Sequence, residues 1–157
     1  MDTGFFHAYD IRGLIGSELN DETAERVGKA FGTIIKGEPV VVGRDVRYSS
    51  KQIAPAFIRG VVSTGCNVTD IGECPSPMLM FNAFNLKQFG AIITASHNPA
   101  EYTGFKFVEP KGLSFLHQYE EMKKVYESGS FATGKGSVKH ADGYTPYREF
   151  LRKAIKL

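Results

Sequence analysis

No apolar run in this sequence approaches the length that crosses a bilayer, so a membrane-spanning helix is not expected. The N-terminus, Met1-Asp2-Thr3-Gly4-Phe5-Phe6, has neither a basic n-region nor an apolar h-region. A secretory leader is therefore not expected, and the cytoplasm is the default location. Cysteine is scarce: Cys66 and Cys74 are too few for a disulfide framework and read as half-buried thiols in a reducing compartment. Charge of one sign is lacking too. Nineteen Lys and Arg against 17 Asp and Glu leave +2, which makes no case for a nucleic-acid partner. What remains is an ordinary soluble composition, 42% hydrophobic and 23% charged, over 157 residues, enough for one domain with a real core. The 17 glycines cluster at the ends of expected elements, as in an α/β protein with many tight turns.

The most informative stretch runs from Gly90 to Lys106. Ala91 to Ile93 reads as a buried strand. Thr94 to Asn98 is small and polar, and Pro99 stops any regular ladder or helix there. A second run, Phe105 to Val108, follows. A hydroxyl, Ser96, is thus presented on a tight loop at a strand end, where open α/β sheets place their ligand sites.

Elsewhere, strand and helix patterns alternate. Phe5 to Gly13 reads as a short strand running into a loop at 10–16. Asn20 is a good N-cap, with Asp21 and Glu22 in the first turn, where the helix dipole favours negative charge. Ala24, Val27, Phe31 and Ile34 recur at helical spacing; Gly28 and Gly32 would let that helix pack closely on a sheet. Val40-Val41-Val42 reads as a strand covered on both faces. Ser49 or Ser50 is expected to cap a helix carrying Ile53, Phe57 and Val61. Pro55 is tolerable if that helix begins near Ile53. Gly65 is its expected C′ residue. Asn67 to Ile71 is a third strand. Ser76 as N-cap with Pro77 behind it starts the next helix. Leu113 to Ser128 reads as a helix with Phe115, Tyr119, Met122 and Tyr126 on one face. Residues 128–144 read as a surface connection, and Tyr144 to Leu157 as a final helix through Tyr147, Leu151 and Ala154.

This alternation predicts a three-layer α/β/α fold with a mixed, mainly parallel sheet. The gap from Ile93 to Phe105 is too short for a parallel crossover, so the strand after Ser96 is expected to be antiparallel.

Two chemistries could use Ser96. A hydrolase serine needs a base against its hydroxyl and a third group orienting the base. A sequence-adjacent histidine rarely points at its neighbour's Oγ, and the G-x-S-x-G elbow is missing. A phosphoryl carrier instead needs basic neighbours and a divalent cation to neutralise charge as the group leaves. Lys106, Arg12, Arg44 and Arg47 are available. The plain alternative is a polar loop with Ser96 as a cap, and the pattern alone does not choose between them.

Thr94-Ala95-Ser96-His97-Asn98-Pro99 followed by Gly104-Phe105-Lys106 closely resembles the phosphoserine loop of the α-D-phosphohexomutases, the phosphomannomutase/phosphoglucomutase family. Ala8-Tyr9-Asp10-Ile11-Arg12-Gly13 resembles the N-terminal signature of that family. Gly43 to Ser50 resembles its second signature loop, and Asp70-Ile71-Gly72 through Pro75-Ser76-Pro77 its third. The match covers Phe6 to Lys106; the tail fits more loosely.

The resemblance implies phosphate transfer between O1 and O6 of a hexose through a phosphoserine and a bisphosphate intermediate. It implies Ser96 as the carrier and a ligand of Mg²⁺. It implies Lys106 beside the reacting phosphate, and Tyr9 and Arg12 as substrate contacts. It gives His97 a part in proton transfer, with a loop-holding role equally open. Arg44 and Asp45 read as a structural ion pair, and Arg47 as a surface cation. The family's enzymes have four domains. The expected division is a phosphoserine domain over 1–130, then a connection and the start of a linker helix over 131–157. With no Asp-x-Asp-x-Asp run, the carboxylate half of a magnesium site is missing, so the chain alone is expected not to turn over. Its expected partners are a hexose phosphate and the remaining mutase domains, in cis or in trans, without nucleic acid or membrane. A non-catalytic or split-gene subunit docking onto a chain with those domains is the competing reading.

Three departures from the family pattern stand out: His7 for arginine, Ser76 for threonine, and Thr103 for asparagine. Thr103 is the least comfortable, because a β-branched residue resists a left-handed backbone that asparagine tolerates.

Overall fold

The computed structural model describes residues 3–115 and 118–155. The elements are β1 (Ile11–Leu14), α1 (Asp21–Ile34), β2 (Val40–Arg44), α2 (Tyr48–Ser63), β3 (Val68–Glu73), α3 (Ser76–Leu86), β4 (Phe89–Ile93), β5 (Tyr102–Val108), α4 (Tyr119–Ser128), β6 (Val138–His140) and α5 (Tyr144–Ala154). They build a three-layer α/β/α domain around one sheet of order β1-β5-β4-β2-β3-β6. β2 runs parallel to β3 and β4, and β3 parallel to β6; β5 is antiparallel to both β4 and β1. The sheet is thus mixed and mainly parallel, with the antiparallel strand where the short Ile93–Phe105 gap demanded one.

Strand alternation divides the core. Val40, Val42, Ala91, Ile93, Phe105 and Phe107 join the cluster filled by α1, α2 and α4, whereas Val41 and Ile92 join a smaller one with Met78 and Leu79 of α3. The larger cluster is held by aromatic stacking, Phe31 on Phe107 at 4.3 Å and Phe57 on Phe105 at 5.0 Å between ring centroids. Gly28 and Gly32 are spent on helix–helix contact rather than on the sheet. A Cβ on Gly28 would lie 2.2 Å from the Phe57 carbonyl oxygen, and one on Gly60 would lie 2.1 Å from that of Glu25, so α1 and α2 touch backbone to backbone.

Several boundaries differ from the sequence reading. Phe5-Phe6 is not the first strand. β1 lies in the stretch read as a loop, because Arg12 and Gly13 find ladder partners in Gly104 and Thr103. α1 starts as expected, with an Asn20/Thr23 capping box. α2 begins at Tyr48, so Ser49 and Ser50 lie in its first turn and neither caps it. Pro55 sits inside the helix on an exposed face. Gly65, at φ +98°, does follow the C-cap Thr64. α3 is capped by Pro75, which places Ser76 one position further in. The helix expected from Leu113 shows its first turn at Tyr119; Phe115 lies outside any helix and its N–H donates to the Phe107 carbonyl, and residues 116 and 117 lie outside the described residues. The stretch read as a connection contains β6, which adds to the sheet through β3. α5 forms as expected to Ala154, and its continuation to Leu157 falls outside the described residues.

Candidate active site

The chain leaves β2 for α2 on one face of the sheet and leaves β3 for α3 on the other. β2 and β4 are neighbours, so the loops after their carboxyl ends part in opposite directions and open a crevice. That is the switch point at which doubly wound sheets bind ligands. Ser96 stands there.

The Ser96 loop is shaped by its own residues first. Ser96 has φ +56°, in the left-handed region, which costs a non-glycine residue roughly 1–2 kcal/mol. The Thr94 hydroxyl offsets part of this by accepting the Ser96 N–H at 2.9 Å, and the Asn98 N–H closes the turn on the Ala95 carbonyl. Ser96 and His97 are exposed, while Thr94 and Ala95 beneath them are buried.

Two arginines then fix the loop. Arg47 donates to the carbonyls of Ser96 (2.9 Å), Asn98 and Pro99 (2.8 Å), with a longer contact to Tyr102 (3.4 Å). Asp45 holds it in turn, accepting the Arg47 N–H at 3.0 Å and pairing with its guanidinium at 3.4 Å. A planar five-donor fork suits such a cluster of carbonyls. Arg47 is therefore the brace of the loop, not a surface cation. The expected Arg44–Asp45 pair is absent, since Arg44 pairs with Glu73 at 3.0 Å. The signal for Arg47 was in the sequence, a cation one residue before a helix at the switch point. Its carbonyl partners lie about fifty residues away along the chain, and only folding reveals them.

Arg12 projects from β1, donates to Asn98 Oδ1 at 2.9 Å and pairs with Asp10. It thus grips the Ser96 loop from the far side. Its Nε is buried without a hydrogen-bond partner. His7, at the departure from the family pattern, reaches the Arg12 carbonyl at 3.2 Å. Tyr9 is 71% exposed on the loop before β1. Lys106 lies in β5 opposite Ile92, half-buried, and its ammonium makes no hydrogen bond or ion pair among the described residues. Thr103 avoids the left-handed backbone, since it lies in β5 and is not among the residues with positive φ, but its buried hydroxyl has no hydrogen-bond partner among the described residues.

His97 Nδ1 is 3.2 Å from Ser96 Oγ, so the adjacent histidine does reach its neighbour's hydroxyl. The left-handed turn at Ser96 is the local feature that separates this loop from an extended chain, where neighbouring side chains diverge. No carboxylate or carbonyl orients the other ring nitrogen among the described residues, so the hydrolase triad is incomplete.

A cleft of about 640 Å³ opens beside Ser96, lined among others by Arg47, Ser49, Ser76, Thr94 and Asn98. Tyr9, Arg12, His97 and Lys106 do not line it. The residues present do not by themselves fit a magnesium ion. Among the described residues no three His, Cys, Asp or Glu side chains are grouped for a metal, and Asp10 and Asp45 are each engaged by an arginine.

Fold and crevice together define a doubly wound α/β domain with a hydroxyl-bearing loop at its switch point. Comparison with known proteins makes this specific. The family model for phosphoglucomutase/phosphomannomutase, alpha/beta/alpha domain I, matches residues 4–132. The chain is 37% identical to the phosphomannomutase/phosphoglucomutase of Pseudomonas aeruginosa, over the whole of this chain and 35% of that protein. It is 38% identical to the phosphoglucomutase/phosphomannomutase of Thermococcus kodakarensis, over 96% of this chain and 35% of that one. A solved structure of a phosphoglucomutase/phosphomannomutase family protein from Burkholderia thailandensis superposes with a TM-score of 0.91 at 33% identity. That match takes in all of this chain and 37% of the other. The chain belongs to the phosphoglucomutase/phosphomannomutase family and corresponds to its domain I. It spans about a third of the length of the curated relatives it matches. No helix among the described residues is long and apolar enough to cross a membrane.

Proposed function

We propose that this chain carries the phosphoserine of a hexose-phosphate mutase, with Ser96 as the carrier. The supporting observation is the Ser96 loop itself: an exposed hydroxyl in a left-handed turn at the switch point, braced by Arg47 and Arg12. In the forward step the P–O bond to Ser96 Oγ breaks and a new P–O bond forms to a free hydroxyl of a hexose monophosphate. That hydroxyl's proton passes to a base, and Ser96 is left as an alkoxide that takes up a proton. The resulting bisphosphate returns its other phosphoryl group to Ser96, which completes a shift between O1 and O6. His97, within hydrogen-bond reach of Ser96 Oγ, is placed to give and take the serine proton. Lys106, without a hydrogen bond or ion pair among the described residues, is the point charge for a developing anion, and Arg12 and Tyr9 are the contacts offered to substrate.

Under this reading a magnesium ion would be held partly by the phosphoserine at Ser96 and partly by carboxylates of the remaining domains, outside this chain, and would neutralise charge on the phosphoryl group. The remaining domains are supplied in cis or in trans, and the setting is cytoplasmic. The isolated chain then binds its phosphate but does not isomerise a hexose phosphate. Intact-mass measurement tests the carrier role: an increment of one phosphate, absent in Ser96→Ala, is expected. A Ser96 that stays unmodified after incubation with a hexose bisphosphate and magnesium in the presence of the remaining mutase domains overturns it, and turnover of mannose 1-phosphate by the chain alone overturns the incompleteness.

A further inference from the structure

The helices differ in how their N-termini are finished. α1 has its capping box with Asp21 and Glu22, α4 has Glu120 and Glu121, and α5 has Asp142 accepting the N–H groups of Tyr144 and Thr145. α2 and α3 have no acidic residue in the first turn and no side-chain cap. Both of these begin at the cleft beside Ser96, whose walls include Tyr48 and Ser49 of α2 and Ser76 of α3.

Missing caps alone carry no ligand. A second, independent feature does point to one. Ser49 lines this cleft, is 7% exposed, and its hydroxyl is buried with no hydrogen-bond partner. An unpaired buried hydroxyl costs on the order of 1–3 kcal/mol; the hydroxyls of Ser49, Ser50 and Thr103 are all unpaired among the described residues, and of these three residues Ser49 is the one that lines this cleft. The first bonded amide of α2 is that of Lys51, on the Arg47 carbonyl; the N–H groups of Tyr48, Ser49 and Ser50 have no acceptor among the described residues. Open N–H groups, a hydroxyl donor and the positive end of a 16-residue helix are the donor set of an oxyanion. Arg47, the N-cap residue of α2, is hydrogen-bonded to the Ser96 carbonyl, which ties this helix start to the carrier loop. The Asp45 carboxylate nearby is neutralised by Arg47.

We propose that the first turn of α2, with Ser49 as its positioning hydroxyl, is a cradle for the phosphoryl group borne by Ser96. This rests on the reading of Ser96 as carrier. Ser49 acts through the phosphoryl oxygens: it holds the group while Ser96 awaits an acceptor and takes no proton itself.

Amide resonances of the chain test this with inorganic phosphate as the probe. In the unphosphorylated chain, phosphate is expected to shift the Ser49 and Ser50 amides saturably. Ser49→Ala weakens that binding about five- to tenfold, the loss of one charge-assisted hydrogen bond, and Ser49→Thr restores it. The thermal midpoint of Ser49→Ala does not fall, because no partner is lost; a fall would mark Ser49 as structural and overturn its role. In a chain made with phosphoserine at position 96, the same amides are shifted without added phosphate and respond no further to it. Amides that ignore both forms of phosphate overturn the cradle. Unchanged affinity for free phosphate in the phosphoserine chain overturns its assignment to the carrier and gives it to a free phosphate. A chain that never takes up phosphate at Ser96 in the mass measurement sinks the carrier reading separately, while the titration still reports on the cradle.

Discussion

The two faces of the sheet are built to different standards. Under α1, α2 and α4 lies a sealed, aromatic core in which glycine lets helix backbones touch. Under α3 and α5 the cluster is six residues, Val41, Ile71, Cys74, Met78, Leu79 and Ile92, with Tyr147 packed on its edge. Phe84 is exposed and Phe150 half-exposed there, and α5 buries no residue completely. The Ser96 loop sits on the seam between the two.

The comparison can be broken from its strongest point downward. Gly28→Leu forces a side chain into the Phe57 backbone and is expected to cost about 3 kcal/mol or more in urea unfolding. A loss below about 1 kcal/mol would show that α1 and α2 can separate freely. Arg47→Lys keeps the charge but cannot reproduce the fork on several carbonyls. It is expected to lose about 2 kcal/mol locally, read as faster amide exchange across 94–102 with little change in the global midpoint. Equal protection in both chains would remove Arg47 as the brace.

The smallest effect concerns the cysteines, one in each core. Burial pushes the Cys74 thiol from 9.0 up to about 11 and raises Cys66 as well. A thiol raised on folding favours the folded state below its unfolded value. That contribution is present below pH 9 and is lost as pH rises from 9.0 towards about 11. Both thiols should resist alkylation at pH 8, with Cys74 labelled first through openings of the thinner face. Tyr147→Ala, costing about 1 kcal/mol, should speed Cys74 and leave Cys66 unchanged. Equal acceleration of both would mean that the two faces open as one unit.

Much of this architecture was legible in the residues. Val40-Val41-Val42 and Ala91-Ile92-Ile93 declared buried strands through unbroken apolar runs, and Asn20 declared a helix start through capping chemistry. The Thr94–Pro99 loop marked the site by its position after a strand, and the antiparallel return followed from chain length alone. Signals of this kind are local, and local energetics fix them wherever the chain goes.

Other features needed the folded chain. β6 carries no apolar residue but Val138, and it is a strand because β3 offers an open edge. Gly28 reads as small in any sequence; that it meets Phe57 rather than the sheet depends on how α1 crosses α2. Arg44, Asp45 and Arg47 are neighbours in sequence, yet their pairings are set by Glu73 and by the carbonyls of 96–102. Ser49, read as a cap, became a buried hydroxyl without a partner once α2 began one residue before it. The sequence determined which residues could do chemistry at this crevice and on which kind of element each would stand. Tertiary structure decided which of them brace, which face the cleft and which are left open, because hydrogen-bond partners distant in the chain exist only once the sheet has brought the ends of β2 and β4 side by side.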